Sequence, residues 1–182
     1  MSRTSLVSSL IAISTVLVGV NSLTLQPTEA VEIASRQRAF VRAPRLVSTA
    51  SSFNHRNIST ATYKFTIEVP ENAGEALQAV KITQKKNIDT VVFRDNRSRA
   101  AEGKNMAGAS IQLASVERES KPGEITVVFD TPIEPGNTVT IAVKPKRNPS
   151  RGGVYLIGVT AYPTGENSSG LYLGSGRIHI YD

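Results

Sequence analysis

The residues in this sequence best suited to chemistry are four cations that fall in one short segment. Residues 144–152 are Lys-Pro-Lys-Arg-Asn-Pro-Ser-Arg-Gly, which places Lys144, Lys146, Arg147 and Arg151 between two predicted strands. Clustered positive charge raises the local concentration of anions, and loops at one end of a β-sandwich are common binding places. The cluster therefore predicts a site for an anionic envelope component: an acidic polysaccharide, a phosphate-bearing polymer or an anionic lipid surface.

The same charges have other interpretations. Charged runs are usually solvated, so the loop can serve solubility alone. Residues 144–147 also resemble a nuclear localisation patch, which the export signal described below contradicts. Nucleic-acid binding needs basic residues interleaved with exposed aromatic side chains. Aromatic residues make up only 5% of the chain and are expected to fill the core, so we predict no nucleic-acid partner.

Ligands for a metal ion are sparse. The chain has no cysteine and two histidines, His55 and His179, which lie far apart in the sequence. Met106 is the one methionine after the leader, whereas copper sites need several His or Met ligands. His179 alternates with Ile178 and Ile180, so we expect it to face solvent. The sequence predicts no metal and no other cofactor.

Hydrolytic motifs are missing as well. There is no Gly-x-Ser-x-Gly elbow and no His-Glu-x-x-His helix. Glu68, Asp130 and Glu134 are candidate carboxylates for glycoside cleavage, but each is placed at a strand end or turn, where acidic residues are routine. We predict that the protein is not an enzyme. The hydrolase alternative requires two carboxylates in a cleft, and Asp130 and Glu134 on an open convex turn would remove it.

Composition is that of one folded domain. The 182 residues include 21 Lys and Arg against 15 Asp and Glu, a formal net charge of +6, and 40% of them are hydrophobic. This balance is typical of neither a membrane bundle nor a disordered chain. Absence of cysteine excludes disulfides, zinc–thiolate sites and iron–sulfur clusters.

Residues 1–30 are predicted to form a signal peptide helix. Arg3 precedes an apolar run over residues 6–20, which is shorter than the roughly 20 residues a membrane-spanning helix needs. Thr28 and Ala30 are small residues at the positions that a signal peptidase reads, which predicts cleavage after Ala30. Ser22 is a second candidate for the cleavage site. The mature protein is then exported, to the periplasm or beyond the cell. The alternative is an uncleaved membrane anchor.

The remaining chain is typical of β-structure. Tyr63, Phe65, Ile67 and Val69 alternate with polar residues, which predicts a half-buried strand that Pro70 ends. Further strands are predicted over residues 80–83, 90–93, 109–116, 124–129, 138–143, 154–162, 171–173 and 177–180.

Three stretches depart from simple alternation. Residues 154–162 form the longest apolar run, which predicts a strand buried on both faces. Residues 174–176, Gly-Ser-Gly, predict a bulge or turn. Residues 73–78 predict a turn or two of helix, and residues 94–108 an irregular connection between two sheets.

Together these elements predict an all-β fold, an antiparallel immunoglobulin-like β-sandwich with one short helix. A small barrel is the alternative. Residues 31–45, rich in arginine, are interpreted as a flexible basic arm, and residues 46–182 as the sandwich domain.

Turn and packing residues of the domain are similar to those of a known family. The segments that carry the likeness are Pro132–Gly136, Asn148-Pro149, Gly153–Tyr155, Val159–Gly165 and Leu173–Tyr181, together with Val69-Pro70 and Ala73-Gly74. They resemble small exported cyanobacterial proteins built on a domain of unknown function. The resemblance implies an exported β-domain and carries over no catalytic residue.

Two functional hypotheses follow. The first is a non-enzymatic envelope protein that binds an anionic polysaccharide or lipid surface through Lys144, Lys146, Arg147 and Arg151. The second is a structural or assembly protein that contacts another envelope protein through a sheet edge, for which residues 171–181 are the candidate strand.

Overall fold

The computed structural model describes residues 38–182, so the predicted signal peptide (1–30) lies outside the described residues. The chain forms ten strands: β1 (Arg45–Ser51), β2 (Tyr63–Glu68), β3 (Leu77–Gln84), β4 (Phe93–Glu102), β5 (Ser110–Ile111), β6 (Leu113–Arg118), β7 (Glu124–Ile133), β8 (Thr138–Pro145), β9 (Gly153–Pro163) and β10 (Leu171–Ile180). The one helical element of the described part is a 3₁₀ turn, Lys104–Met106.

The strands form two five-stranded antiparallel sheets that pack face to face. One sheet has the order β1-β2-β8-β4-β5 and the other β10-β9-β3-β7-β6. Alternate side chains of both sheets meet in one continuous apolar core that includes Phe65, Phe93, Phe129 and Tyr155. Period-two burial of this kind is what the sequence pattern requires. The predicted immunoglobulin-like β-sandwich is therefore confirmed.

Outer strands of the two sheets approach each other along one side of the sandwich. β1, at the edge of its sheet, packs against β10, at the edge of the other. Gly176 of β10 is buried directly against Thr49 of β1, and any side chain at Gly176 would overlap it. The edge of β10 is thus covered by β1 at this point.

Three local predictions are wrong. Residues 73–78 form no helix, because Ala73 is buried, accepts a hydrogen bond from the backbone N–H of Val41, and leads through bends into β3. Residues 94–108 are not an irregular connection, since β4 continues to Glu102. The strand over 154–162 is not buried on both faces, because Val154 and Leu156 are 46% and 39% exposed.

The end of the chain agrees with its prediction in part. The two strands predicted over 171–173 and 177–180 are one strand, β10; residues 174–176 pair regularly with β9, and the register shift lies just before them, between Tyr172 and Gly174. His179 is exposed.

Residues 38–44, the described end of the predicted basic arm, are hydrogen-bonded to the sandwich. Arg38 forms an ion pair with Glu75 at 3.2 Å, and its carbonyl accepts a hydrogen bond from the backbone N–H of Ser169.

Candidate functional site

The two ends of the sandwich are built from different loops, because successive strands run in opposite directions between the ends, the short β5 and β6 together making one such passage. At one end lie residues 52–62, 85–92, 119–123 and 146–152; we call this the basic end. At the other lie residues 69–76, 103–109, 134–137 and 164–170, the opposite end. The pairing of Tyr63 with Val143 and of Glu68 with Thr138 fixes this assignment for the first sheet.

A groove of about 700 Å³ opens at the basic end. Four of the six residues that line it are cations and one is an acid: Arg94, Asp95, Asn96, Arg118, Lys146 and Arg147. We call these six residues the basic groove. Charge of one sign around a concave surface concentrates counter-ions there.

A bulge in β4 forms one wall of the basic groove. Arg94 lies opposite Lys144 of β8, but Arg99 lies opposite Ala142, so residues 95–98 have no regular partner and bulge outward. Bulges re-aim side chains and break regular pairing. Here the bulge presents Asp95 and Asn96, while the Arg94 guanidinium donates to the carbonyl of Lys146 at 3.3 Å.

Arg118, at the end of β6, is held in the groove by a carboxylate. Its Nε donates to Asp95 Oδ2 at 3.2 Å, and the backbone N–H of Asn96 donates to Asp95 Oδ1 at 3.0 Å. The backbone hydrogen bond of Asn96 and the Arg118 guanidinium hold the pKa of Asp95 below its usual value of 3.8. Asp95 therefore stays ionised, and it offsets one of the four positive charges.

A buried asparagine anchors the loop that carries Lys146 and Arg147. Asn148 is 2% exposed; its Oδ1 accepts from the hydroxyl of Tyr63 at 2.9 Å, and its Nδ2 donates to the carbonyls of Phe53 and His55, both at 2.9 Å. Burial, with a smaller contribution from Tyr155, raises the pKa of Tyr63 well above its usual value, so the phenol remains a donor. The three hydrogen-bond partners of the Asn148 amide therefore lie on β2, in the interior, and on the neighbouring loop 52–62.

A second anchor holds the same loop to residues 85–92. Asp89 Oδ2 accepts hydrogen bonds from the Ser150 N–H and Oγ, both at 2.7 Å, and from the Arg151 N–H at 3.1 Å. The side-chain hydrogen bond of Ser150 is the largest cause of the lowered pKa of Asp89, and the two backbone donors add to it. Hydrogen bonds of Asn148 and of Asp89 thus anchor loop 146–152 at two points, and the backbone that carries Lys146 and Arg147 is held in a defined position.

The four cations predicted from the sequence are only partly brought together. Lys146 and Arg147 are exposed and line the basic groove. Lys144 is half-buried on β8 rather than on the loop. Arg151 lies beside Asp89 and is not among the residues that line the groove.

Arg94 and Arg118 complete the groove and were not among the predicted site residues. They are distant from loop 146–152 in the sequence, and strand pairing brings them to it. The positive run of residues 94–99 was a signal that could have found Arg94, but its strand was not predicted.

The other candidate residues of the sequence lie elsewhere. Asp130 and Glu134, together with Glu102, line a separate cleft of about 400 Å³. This cleft lies at the opposite end of the sandwich, so Asp130 and Glu134 do not lie on an open convex turn. Glu68 is ion-paired with Arg45 at 3.0 Å. Within residues 38–182 no three His, Asp or Glu side chains are grouped so that they could hold a metal ion.

Fold and groove together define an immunoglobulin-like β-sandwich with a cationic end. Among the described residues, none forms a helix of the length and apolarity needed to cross a membrane. The chain belongs to the family described as a protein of unknown function, DUF2808, whose model matches residues 37–180. No curated protein matches the sequence.

Three solved bacterial structures show a distant similarity to this chain. One is the collagen-binding domain from a Staphylococcus aureus adhesin, 9% identical over 73% of this chain and 100% of that one, with a TM-score of 0.38. Another is a DUF4466 family protein from Parabacteroides merdae, 11% identical over 75% of this chain and 44% of that one, with a TM-score of 0.43. A third is the C-terminal domain of the Streptococcus pyogenes antigen I/II-family protein AspA, 13% identical over 74% and 47%, with a TM-score of 0.41. The chain spans less than half the length of the latter two. Function has to be inferred from the side chains of this chain itself.

Proposed function

We propose that this DUF2808 protein is an exported, non-enzymatic β-sandwich that binds an anionic component of the cell envelope through its basic groove. A cleaved signal peptide at residues 1–30, a basic arm at 31–45 and a binding domain at 46–182 belong to the proposal. So does a periplasmic or extracellular location in a cyanobacterial envelope, which the resemblance of its turn residues implies.

One observation carries the proposal. Arg94, Arg118, Lys146 and Arg147 surround one groove that holds a single carboxylate, Asp95. Like charges placed close together repel each other, and an anionic partner relieves that repulsion. Because loop 146–152 is anchored by Asn148 and by Asp89, little ordering is left to occur on binding, which favours affinity.

Binding to immobilised dextran sulfate, a soluble polyanion, tests the proposal. Lys146→Glu/Arg147→Glu reverses two exposed charges of the groove. Its matched control is Arg42→Glu/Lys104→Glu, which makes the same change in net charge with two exposed residues elsewhere on the molecule. All proteins keep the same amino terminus, so any contribution of the segment before residue 38 is common to them.

We expect the full-length wild type and the control to bind with a steep salt dependence, since exposed charges are screened by salt. We expect the groove variant to bind about tenfold more weakly or worse, because each cation near an anionic surface contributes about 1 kcal/mol. Equal weakening of both variants would show that only net charge matters and would contradict the groove as the site.

Assembly through the edge of β10 is the second candidate function. β10 is an edge strand, and its Tyr172 is 50% exposed, which supports it. The coverage of Gly176 by Thr49 limits the free edge to the ends of the strand. Light scattering of the purified protein tests this candidate, and a strict monomer with no co-purifying partner would count against it.

A further inference from the structure

We infer that the basic end docks on the surface of an anionic lipid bilayer, with Ile88 and Phe53 entering the boundary between headgroups and acyl chains. This inference rests on the proposed function and names the partner of the same site. Peripheral docking is favoured by apolar side chains at an exposed tip together with cations around them, since both contributions add. The basic end supplies both.

Ile88 is the first of the two apolar contacts. It is 71% exposed although it lies in a loop whose neighbouring residues are fixed. Asn87 donates through Nδ2 to the carbonyl of Val154 at 2.9 Å and accepts from the Ile88 N–H at 2.7 Å. On its other side, Asp89 is held by the backbone of Ser150 and Arg151. The loop therefore holds an isoleucine outward in a defined position, where a partner that removed it from water would gain the free energy of its burial.

Phe53 is the second apolar contact, across loop 146–152 from Ile88. Its side chain is 52% exposed, while its carbonyl accepts from Ser51 Oγ at 2.7 Å and from Asn148 Nδ2 at 2.9 Å. Single exposed apolar residues are ordinary. Here two of them are held by hydrogen bonds on either side of the loop that carries Lys146 and Arg147.

The charges at this end match an anionic surface. Its four loops contain seven cations and two carboxylates: Arg56, Lys85, Lys86, Lys121, Lys146, Arg147, Arg151, Asp89 and Glu119. Asp89 is bound to the loop backbone, and Glu119 lies 3.5 Å from Lys81. Asp182, also at this end, lies 3.5 Å from Arg56. Both acidic loop residues are therefore engaged within the protein, and most of the cations are left to face a partner.

A bilayer fits these observations better than an acidic polysaccharide does. Isoleucine offers nothing to a hydroxyl-rich chain, whereas burying an aliphatic side chain in the acyl boundary is favourable in proportion to the area removed from water. Cations alone suit either partner, and an aromatic ring can stack on a sugar; the aliphatic side chain of Ile88, held outward, is what favours the lipid.

Co-sedimentation with vesicles tests the inference. The probes are vesicles of phosphatidylcholine alone and vesicles that also contain phosphatidylglycerol, and dextran sulfate binding is measured in parallel. Ile88→Ser/Phe53→Ser removes the apolar contacts and leaves every charge. Val41→Ser is the control, because Val41 is an 84% exposed aliphatic residue near the opposite end, beside Gly74. All proteins are full-length with the same amino terminus.

We expect wild type and Val41→Ser to bind the anionic vesicles, and Ile88→Ser/Phe53→Ser to bind them about tenfold more weakly, the effect of burying part of two apolar side chains. Dextran sulfate binding should be the same for all three. Equal vesicle binding by all three proteins, or binding to dextran sulfate without binding to vesicles, would overturn lipid docking and leave the proposed polyanion site intact. If Lys146→Glu/Arg147→Glu also binds both probes as its control does, the proposed function itself fails.

Discussion

The two ends of this sandwich share one scaffold but differ in charge and in how their loops are held. The loops of the basic end contain seven cations and two carboxylates, whereas those of the opposite end contain Lys104 and four carboxylates, Glu71, Glu75, Glu134 and Glu166. The arm over 38–44 adds Arg38, which is paired with Glu75, and Arg42. Strands set the fold at both ends equally, so the functional difference lies in the loops.

Both ends are secured by a buried polar side chain. At the basic end Asn148 connects Tyr63, Phe53 and His55. At the opposite end Thr140 of β8 donates to the carbonyl of Gly103 at 2.6 Å and lies 3.0 Å from the hydroxyl of Thr66. Buried polar groups are costly when they lose their partners. Changing each anchor in turn tests whether the ends are independent.

Asn148→Ala should have the largest effect. It leaves the Tyr63 hydroxyl and the His55 carbonyl without this partner, while the Phe53 carbonyl keeps its hydrogen bond from Ser51. We therefore expect the free energy of unfolding to fall by about 3 kcal/mol in urea denaturation. Dextran sulfate binding should weaken too, because the loop carrying Lys146 and Arg147 loses the hydrogen bonds that anchor it. Asn72→Ala, on an exposed loop of the opposite end, should change stability by less than about 0.5 kcal/mol.

A double variant separates the network from general damage. Tyr63→Phe removes the hydroxyl that Asn148 accepts from, so adding it to Asn148→Ala should cost less than the sum of the two single changes. Strict additivity would mean that the Tyr63–Asn148 hydrogen bond contributes nothing.

Thr140→Val should have a smaller effect, limited to stability. The change keeps the shape but removes the hydroxyl, which leaves the Gly103 carbonyl without its donor, and we expect a loss of about 1 to 2 kcal/mol. Polyanion binding should stay at the wild-type level, because the groove is at the other end. Thr160→Val, half-buried on β9, is the control. Weaker binding by Thr140→Val would show that the ends are coupled.

Asp89→Asn should have the smallest effect, and one that depends on pH. The pKa of Asp89 is lowered in the folded protein from its ordinary value of 3.8, so its ionised form stabilises the fold above that value, and this stabilisation is lost as the pH falls through the folded pKa. Thermal unfolding should therefore show wild type more stable than Asp89→Asn at neutral pH, and the difference should shrink in acid. A difference that stays constant down to the most acidic pH would exclude the carboxylate as its source.

Period-two patterning predicted most of the fold. β2 and β8 alternate apolar and polar residues because one face of each packs on the core, and both were found within a residue or two of their bounds. β4 was missed because only its ends, Phe93 and Ala100-Ala101, are buried, while residues 95–98 leave the regular pairing and are half-buried or exposed without alternation. Residues 73–78 have helical character, but Ala73 is fixed by its hydrogen bond to Val41, so the tertiary contact decided the local structure.

Only half of the cations of the basic groove could be predicted. Lys146 and Arg147 are neighbours in the sequence, and their exposure follows from the loop. Arg94 and Arg118 join them because β4 pairs with β8 and packs beside β6. A single sequence contains no signal for such long-range pairing. The groove is made from β4, β6 and loop 146–152, and the sequence predicted only the loop.

The contact of Thr49 with Gly176 has a consequence for how the molecule is made. The first strand of the domain closes against the last, so residues 45–180 must all be available before this side of the sandwich can be completed. Contacts between residues so far apart in sequence form slowly. Closure of β1 on β10 is therefore expected to be a slow step in the folding of this domain.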